Sequence, residues 1–207
     1  PFYKPSKHIV IVDPHRVGHE LYYYPGETNV RMADIVIVSK VNTAKPEDVK
    51  QIKENVREIN PGAVIIDASI TITAEDEEKL RGKRVLVIED GPTLTHGEMK
   101  FGAATIKAKE MGAIIVDPKP YAKGTIKEVY NLWPHLGELL PAVGYSDNQM
   151  KELEDSINAV PCDIVLMGTP TDLRRYLDVD KPVLRVKYEY KEVEPGSLVA
   201  ELEKALP

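Results

Sequence analysis

Five ionisable residues follow one short apolar stretch near the start of the sequence. The stretch spans residues 9–12, and the segment after it, "DPHRVGHE", contains Asp13, His15, Arg16, His19 and Glu20. Arginine offers a planar fork that matches phosphate oxygens, and aspartate is a hard oxygen ligand suited to Mg²⁺. Two histidines four residues apart could share a metal on a helix, but Pro14 and Gly18 disfavour a helix there. The segment therefore predicts an anion-binding loop.

Polar segments also follow most of the other apolar stretches. These segments read "SKVNTA", "EDGPTLTHGE", "DPKPY" and "GTPTDLRR". Ligands of parallel α/β proteins bind beyond the carboxyl ends of the strands, so we expect a shared binding rim at that edge. A purely structural interpretation has equal weight for Asp13, Asp67 and Asp117, because aspartate after a strand often caps the next helix.

The apolar stretches themselves predict the fold. Residues 9–12, 35–38, 64–66, 85–88, 114–116 and 164–167 are rich in Val and Ile, as in strands buried on both faces. Helical patterns lie between them, including one that begins at Pro46 and one with a Ser146–Gln149 capping box. Residues 184–190 alternate in polarity, which favours a strand at a sheet edge, and a helix is expected over 195–206. The prediction is an α/β fold with a mainly parallel sheet and flanking helices.

Composition excludes several classes of protein. The chain has 207 residues, of which 43% are hydrophobic. Its net charge of -6 argues against nucleic acid as the main partner. No apolar run approaches 18 residues and no signal peptide is evident, so we expect a cytoplasmic protein without a membrane partner. Cys162 is the only cysteine. Lys and Glu are abundant and Gln is scarce, which favours a thermophile. The chain also lacks G-x-x-x-x-G-K-[ST], so it cannot itself cradle a triphosphate as a P-loop does.

Several long segments together carry a resemblance to a known family. They are "VDPHRVGHELYYYPGETNVRMADIVIVSK", "EDGPTLTHGEMKFGAA", "KPYAKGTIKEVYNLWPHLGELLPAVGYS" and "GTPTDLRR". With them the chain resembles the C-terminal half of the cyclic 2,3-diphosphoglycerate synthetase family, whose relatives are often described as predicted GTPases. The resemblance implies a fragment: residues 1–117 would be an incomplete P-loop NTPase-like region lacking the P-loop, and residues 118–207 a C-terminal α/β extension. The implied partner is an upstream half of the same protein that carries the P-loop; a homodimer is left open.

The resemblance also implies a reaction and a set of site residues. Such a ligase uses ATP and Mg²⁺ to close an intramolecular phosphoanhydride in 2,3-diphosphoglycerate, a small anionic substrate with about five negative charges. The implied catalytic residues are Asp13, Arg16 and His96. The implied substrate-binding residues are His15, Arg16, His19, Arg31, Thr95 and Lys100. Nucleotide binding falls to Lys40 and Asn42, and metal binding to Asp13 and Asp90. The isolated fragment is expected to be inactive.

Two other functions stay open. "SKVN" is similar to an eroded N-K-x-D element, so the chain could be the base-recognition and effector half of a GTPase switch or metallochaperone. Asn42 stands where that element has Asp, and an amide cannot repeat the pairing with guanine, which favours ATP. The remaining alternative is a non-catalytic module for ligand binding or oligomerisation.

Overall fold

The computed structural model describes residues 5–95, 100–144 and 146–205. Within it the chain forms two compact units: unit 1 takes in the residues up to Thr71 and from Glu189 onward, and unit 2 is Ile72–Tyr188. This division by contacts differs from the division into 1–117 and 118–207, which stays a prediction.

Strands and helices alternate along the chain, as the sequence pattern predicts. The strands are β1 (Ile9–Val12), β2 (Ile35–Val38), β3 (Val64–Ala74), β4 (Arg84–Asp90), β5 (Ile114–Ile115), β6 (Leu140–Ala142), β7 (Ile164–Gly168) and β8 (Val183–Glu192). The helices are α1 (His19–Tyr22), α2 (Gly26–Met32), α3 (Pro46–Ile59), α4 (Gly91–Thr95), α5 (Ala103–Glu110), α6 (Gly124–Leu132), α7 (Asp147–Ala159) and α8 (Ser197–Glu203). Short 3₁₀ turns form at Pro14–Arg16, Glu77–Leu80, Lys119–Tyr121 and Leu173–Arg175. The α/β fold with a parallel-rich sheet is confirmed.

The core of unit 1 is built around β2, whose four residues are all buried. β2 pairs in parallel with β1 on one side and with the start of β3 on the other. On one face Val36 and Val38 pack against Ile52 and Val56 of α3. On the other face β2 and β3 pack with Leu198 of α8. Burial of each such side chain contributes about 1.5–3 kcal/mol, which fixes the strand ends that follow.

Strand β1 has an open side. Among the described strands its neighbour is β2, and it stands at the end of the strand order. Ile9 is 37% exposed and Ile11 is 66% exposed, although both lie in a run of four β-branched residues. Within the described part of the chain β1 is therefore an edge strand, and the prediction that residues 9–12 are buried on both faces is wrong, because the face that carries Ile9 and Ile11 is exposed.

Unit 2 is built around β4, which pairs in parallel with β5, β6 and β7. β7 in turn pairs in parallel with β8. On the other side of β8 the Glu75 N–H donates to the Arg185 carbonyl at 2.9 Å. The predicted edge position of the last strand is therefore wrong, because Leu184 and Val186 are buried and need cover that an edge does not supply.

Local signals for helix ends were accurate. α3 begins at Pro46, and α7 begins with the predicted capping box between Ser146 and Gln149. α8 is shorter than the predicted helix over 195–206. No helix within the described ranges is long and apolar enough to cross a membrane.

Candidate functional site

Asp13 follows β1 and caps the start of the 3₁₀ turn Pro14–Arg16. Its Oδ1 accepts a hydrogen bond from the His15 N–H at 3.0 Å, and Pro14 occupies the first position of the 3₁₀ turn, where no N–H is needed. Asp117 accepts from the Lys119 N–H at 3.1 Å, but the capping position of the turn that follows is Pro118. The capping interpretation is therefore confirmed for Asp13, whereas Asp67 lies inside β3.

Lys40, just after β2, joins the two loops. Its Nζ lies 2.6 Å from Asp13 Oδ2, and its backbone has a φ of +55°, which is uncommon for a residue with a Cβ. Burial acts to raise the pKa of Asp13, but the hydrogen bond and charge of Lys40, together with the His15 N–H, outweigh it. The pKa of Asp13 is therefore lowered, and the carboxylate stays ionised.

A second contact ties the same loops together. The His15 Nε2 and Thr43 Oγ1 atoms are 2.9 Å apart. Thr43 also donates from its hydroxyl to the Lys40 carbonyl at 3.2 Å. We call Asp13, His15, Lys40 and Thr43 the strand-end cluster. It stands at the carboxyl ends of β1 and β2, the edge where parallel α/β proteins bind ligands.

The loop after the cluster is anchored by a buried carboxylate. Glu20 is 4% exposed; its Oε2 accepts from the Gly18 N–H at 2.9 Å and its Oε1 from the Asn55 side chain at 2.6 Å. The Gln51 side chain donates to the side-chain oxygen of Asn55, Oδ1, at 2.9 Å. These bonds fasten the loop to α3. Asn55 was not predicted, although a polar pair at positions 51 and 55 of an apolar helix face was a signal.

Arg16 is the unpaired cation of this loop. Within the described part of the chain its guanidinium makes no ion pair or side-chain hydrogen bond, and the residue is partly buried. The two nearby acids do not pair with Arg16, because Glu20 bonds to Gly18 and Asn55 while Glu27 bonds to Arg31. Among the described residues, the donors of the Arg16 guanidinium therefore have no protein partner.

Two other predicted substrate-binding residues, Arg31 and His19, make no contact with the strand-end cluster that the structure describes. Arg31, on α2, holds Glu27 at 2.7 Å and donates to the Ile59 carbonyl at the end of α3. It stands near the amino ends of β2 and β3, the opposite end from Asp13. His19 is exposed, and its ring stacks on Tyr23 with centroids 5.2 Å apart.

Asn42 is engaged by the backbone. Its Nδ2 donates to the Ile70 carbonyl at 3.2 Å, and its Oδ1 accepts from the Ile70 N–H at 3.1 Å. Both amide groups are used, so the side chain as placed fits a loop staple rather than recognition of a base. Lys40, the other predicted nucleotide contact, is held by Asp13.

Asp13 is the carboxylate that the cluster offers to a metal ion. Both of its oxygens already accept hydrogen bonds. Across the described ranges no group of three or more His, Cys, Asp or Glu could hold a metal ion. Mg²⁺ is commonly bound through one or two carboxylates together with waters and substrate phosphates, so the metal site at Asp13 and Asp90 stays a prediction.

The predicted site residues of unit 2 lie at the end of β4 and in the segment after it. Asp90 is its last residue, and Thr95 ends α4, where its hydroxyl donates to the Gly91 carbonyl at 3.0 Å. Lys100 is exposed, and His96 lies outside the described residues. Their convergence with Asp13 and Arg16 on one rim stays a prediction.

Glu89 is a buried acid that the sequence analysis missed. It is 2% exposed, and its Oε1 accepts from the Thr105 N–H at 2.7 Å, the Thr105 hydroxyl at 2.8 Å and the Gly102 N–H at 3.1 Å. A Cβ on Gly168 would lie 2.5 Å from its Oε2. Desolvation raises the pKa of Glu89, and these hydrogen bonds only partly counter it. The available signal was an acidic residue at the end of an otherwise apolar strand.

In the loop after β7, the charged side chains Asp172 and Arg174 pair with each other. Asp172 caps the turn, accepting from the Arg174 N–H, and forms a bidentate pair with the Arg174 guanidinium at 2.9 Å. That pairing lowers the pKa of Asp172 to about 2. Arg174 also reaches Glu75 at 3.1 Å. "GTPTDLRR" therefore contains a capped turn whose Arg174 is ion-paired.

Comparison with known proteins gives one relative of high similarity. The chain is 51% identical over 205 residues to the arginine synthetase ArcE of Thermococcus kodakarensis, a thermophilic archaeon. The aligned part covers 99% of this chain and 46% of the relative. The chain thus spans about half the length of the curated relative it matches. No family model matches the chain. The resemblance to cyclic 2,3-diphosphoglycerate synthetases is not confirmed by this comparison.

Proposed function

We propose that this chain is part of a ligase-type synthetase that uses ATP to form arginine. The observation that carries the proposal is the 51% identity that extends over almost the whole chain to a protein named arginine synthetase. A match of this extent covers the strand ends as well as the core, so it includes the residues that build the candidate site. The synthetase activity belongs to the longer protein in this proposal.

The strand-end cluster supports a role in binding an anion. Lys40 and His15 are held by Asp13 and Thr43, so the loops have a fixed shape and Arg16 stands beside them without a partner among the described residues. A guanidinium in that position binds a carboxylate or phosphoryl group through two parallel hydrogen bonds. Asp13 acts through Lys40, as a positioning residue.

ATP and Mg²⁺ are assigned in this proposal to another segment of the longer protein. This chain has no P-loop motif, Lys40 and Asn42 are engaged, and both oxygens of Asp13 already accept hydrogen bonds. The open side of β1, with Ile9 and Ile11 exposed, offers a surface on which such a segment would pack. Phosphoryl transfer depends mostly on positioning and charge neutralisation, so separate segments can supply its parts.

Cyclisation of 2,3-diphosphoglycerate is the second candidate reaction. The unpaired Arg16 favours it, because that substrate carries two phosphates. A GTPase switch fits less well, since Asn42 bonds to the backbone of Ile70 and offers no acceptor pair to guanine.

Isotope exchange in the full-length protein would separate the two reactions. An arginine-forming ligase run in reverse should incorporate labelled phosphate, or labelled pyrophosphate, into ATP only when arginine is present. A cyclising ligase should instead consume ATP when 2,3-diphosphoglycerate is added and give a cyclic product visible by phosphorus NMR. Exchange that does not depend on arginine, together with formation of the cyclic product, would replace the first proposal by the second. The 207-residue chain alone, as a control, should hydrolyse neither ATP nor GTP.

A further inference from the structure

The loop that carries Arg16 is fastened on both sides of that residue. The Arg16 N–H donates to the Asp13 carbonyl at 2.8 Å. Two residues further on, Gly18 has a φ of +97°, and its N–H donates to Glu20 Oε2 at 2.9 Å. The Arg16 guanidinium has no protein partner among the described residues. The backbone of this loop is therefore fixed, while the guanidinium stays available.

The second fastening depends on a buried contact with α3. Glu20 and Asn55 are both buried, and the Asn55 side chain donates from Nδ2 to Glu20 Oε1 at 2.6 Å. We call these two residues the buried pair. Asn55 Oδ1 in turn accepts from the side chain of Gln51, which is exposed. α3, which carries Asn55, also lies against the turn Pro14–Arg16. The buried pair thus links the helix to the loop.

An acid is a costly choice for this buried position. Removing a carboxylate from water costs free energy, and apolar side chains of similar volume are often as good or better for stability. Among the described residues no cation pairs with Glu20, so charge attraction does not offset that cost. What the carboxylate adds is direction, because one oxygen accepts from the loop and the other from α3. The buried pair therefore sets the path of the loop rather than only filling space.

We propose that Glu20 and Asn55 act as positioning residues for Arg16, holding its loop in the form that binds an anion. Neither side chain touches the ligand. A loop that is ordered before binding loses less conformational entropy when the ligand arrives, so the affinity is higher. The inference deepens the proposed function and rests on it only in taking Arg16 as the anion-binding residue. It applies equally to the arginine-forming and the cyclising reaction.

An exchange of the two side-chain types tests the buried pair. Asn55→Asp alone sets two carboxylates against each other with no hydrogen between them, which should break the link. Adding Glu20→Gln restores it, because the new amide donates to the new carboxylate while its oxygen still accepts from the Gly18 N–H. Glu20→Gln alone should be mild, since the side-chain amides of Asn55 and Gln51 can both turn over and Gln51 is exposed. Rescue by the second substitution is therefore the specific signature.

Calorimetric titration of the full-length protein with 2,3-diphosphoglycerate measures the effect. This probe carries a carboxylate and two phosphates, which are the groups that a guanidinium binds. Asn55→Asp should weaken its binding by about tenfold, the cost of ordering roughly one residue of backbone on binding. The double variant should return to within about twofold of wild type. Asn131→Asp, the same change at an exposed position of α6, is the matched control and should bind as wild type does.

A cycle with Arg16→Lys shows whether the buried pair acts through Arg16. With Arg16→Lys already present, Asn55→Asp should weaken binding by about twofold or less, because the side chain that the pair positions has been replaced. A purely structural role would instead multiply the two losses. Urea unfolding of each variant checks that it is folded under the titration conditions. If Asn55→Asp is not folded, Asn55→Ala, which removes the donor without adding a charge, replaces it in the same cycle.

The outcomes are distinct from those of the exchange assay. The inference fails if the probe does not bind wild type, if both variants at position 55 bind it as wild type does, or if their losses multiply with that of Arg16→Lys. It also fails if Glu20→Gln does not rescue a folded Asn55→Asp. Arginine-dependent exchange can still occur in each case, and the proposed function then stands without the buried pair. If the pair couples to Arg16 but no exchange depends on arginine, the positioning role stands and the synthetase proposal does not.

Discussion

Lys40 Nζ lies 2.6 Å from Asp13 Oδ2, and this ion pair joins the loops that follow the first two strands. Both side chains are partly exposed, at 42% and 24%. The same lysine has a left-handed backbone, so the fold of its loop and the position of its charge are set together.

Asp13→Asn tests the ion pair while keeping the cap. The asparagine oxygen can still accept from the His15 N–H, but the charge attraction to Lys40 is lost. Because the folded pKa of Asp13 is lowered, its stabilising effect is present above the unfolded pKa, near 3.8, and is lost as pH falls through the folded value. Urea unfolding should show a loss of at most about 1 kcal/mol at pH 7, shrinking below about pH 3.8. The exposed Asp178→Asn should show no such pH-dependent difference.

Position 40 should prefer glycine to alanine. At a φ of +55° a Cβ costs roughly 1 kcal/mol, so Lys40→Gly should unfold at higher urea than Lys40→Ala, although both lose the ion pair. In the exposed middle of α6 the order should reverse, with Lys127→Gly about 0.5–1 kcal/mol less stable than Lys127→Ala. Equal stability of the two variants at position 40 would contradict the left-handed loop.

Arg16→Lys should weaken an anionic ligand in the full-length protein. A point charge cannot reproduce the two parallel hydrogen bonds of a guanidinium, so we expect a loss of about 10- to 100-fold in affinity for 2,3-diphosphoglycerate. Arg31→Lys is the matched control, because Arg31 pairs with Glu27 at the other end of the strands and should leave affinity unchanged. If both variants bind like wild type, Arg16 does not contact the ligand.

Glu89→Gln should alter how stability depends on pH. The folded pKa of Glu89 is raised, so the stabilising effect of its proton is present below the unfolded pKa, near 4.5, and is lost as pH rises through the folded value. The free energy of unfolding of wild type should therefore fall relative to Glu89→Gln as pH rises above the unfolded pKa, near 4.5. Glu128→Gln, exposed on α6, should track wild type. A constant difference between Glu89→Gln and wild type would show that this acid keeps an ordinary pKa.

Gly168→Ala should destabilise unit 2. The new Cβ would lie 2.5 Å from Glu89 Oε2 and 3.0 Å from the Ala104 Cβ, and all three residues are buried, so overpacking should cost about 1–3 kcal/mol. Gly62→Ala is the control, because its added Cβ has only ordinary contact at 3.7 Å. Thermal unfolding would detect the difference.

The positions of the strands could be predicted because their apolar runs are stable only where they are buried in a sheet. β1 and β2 have the predicted bounds and β8 nearly does, whereas β3 extends well beyond residues 64–66. The extra residues of β3 include Ser69 and Thr71, whose polar side chains do not fit a pattern of buried runs. Extension there depends on pairing with a neighbouring strand, which is not a local property.

The candidate site was predicted less completely than the fold. Asp13 could be placed because capping is local, and Arg16 was singled out by its position just after a strand. The hydrogen bonds of Asn42 could not be foreseen, since its partner Ile70 is distant in sequence and contributes only backbone atoms; its role in nucleotide binding stays a prediction.

The open side of β1 has a practical consequence for handling the chain by itself. An edge strand of four β-branched residues, whose outer side has no partner among the described strands, is a template for further strand addition, and it carries no charge or proline to discourage it. Two copies could pair along this strand at high protein concentration, and the size of the aggregates should then increase with concentration. Replacing the exposed Ile11 by lysine would place a charge on that edge and should keep the separated chain monodisperse in light scattering.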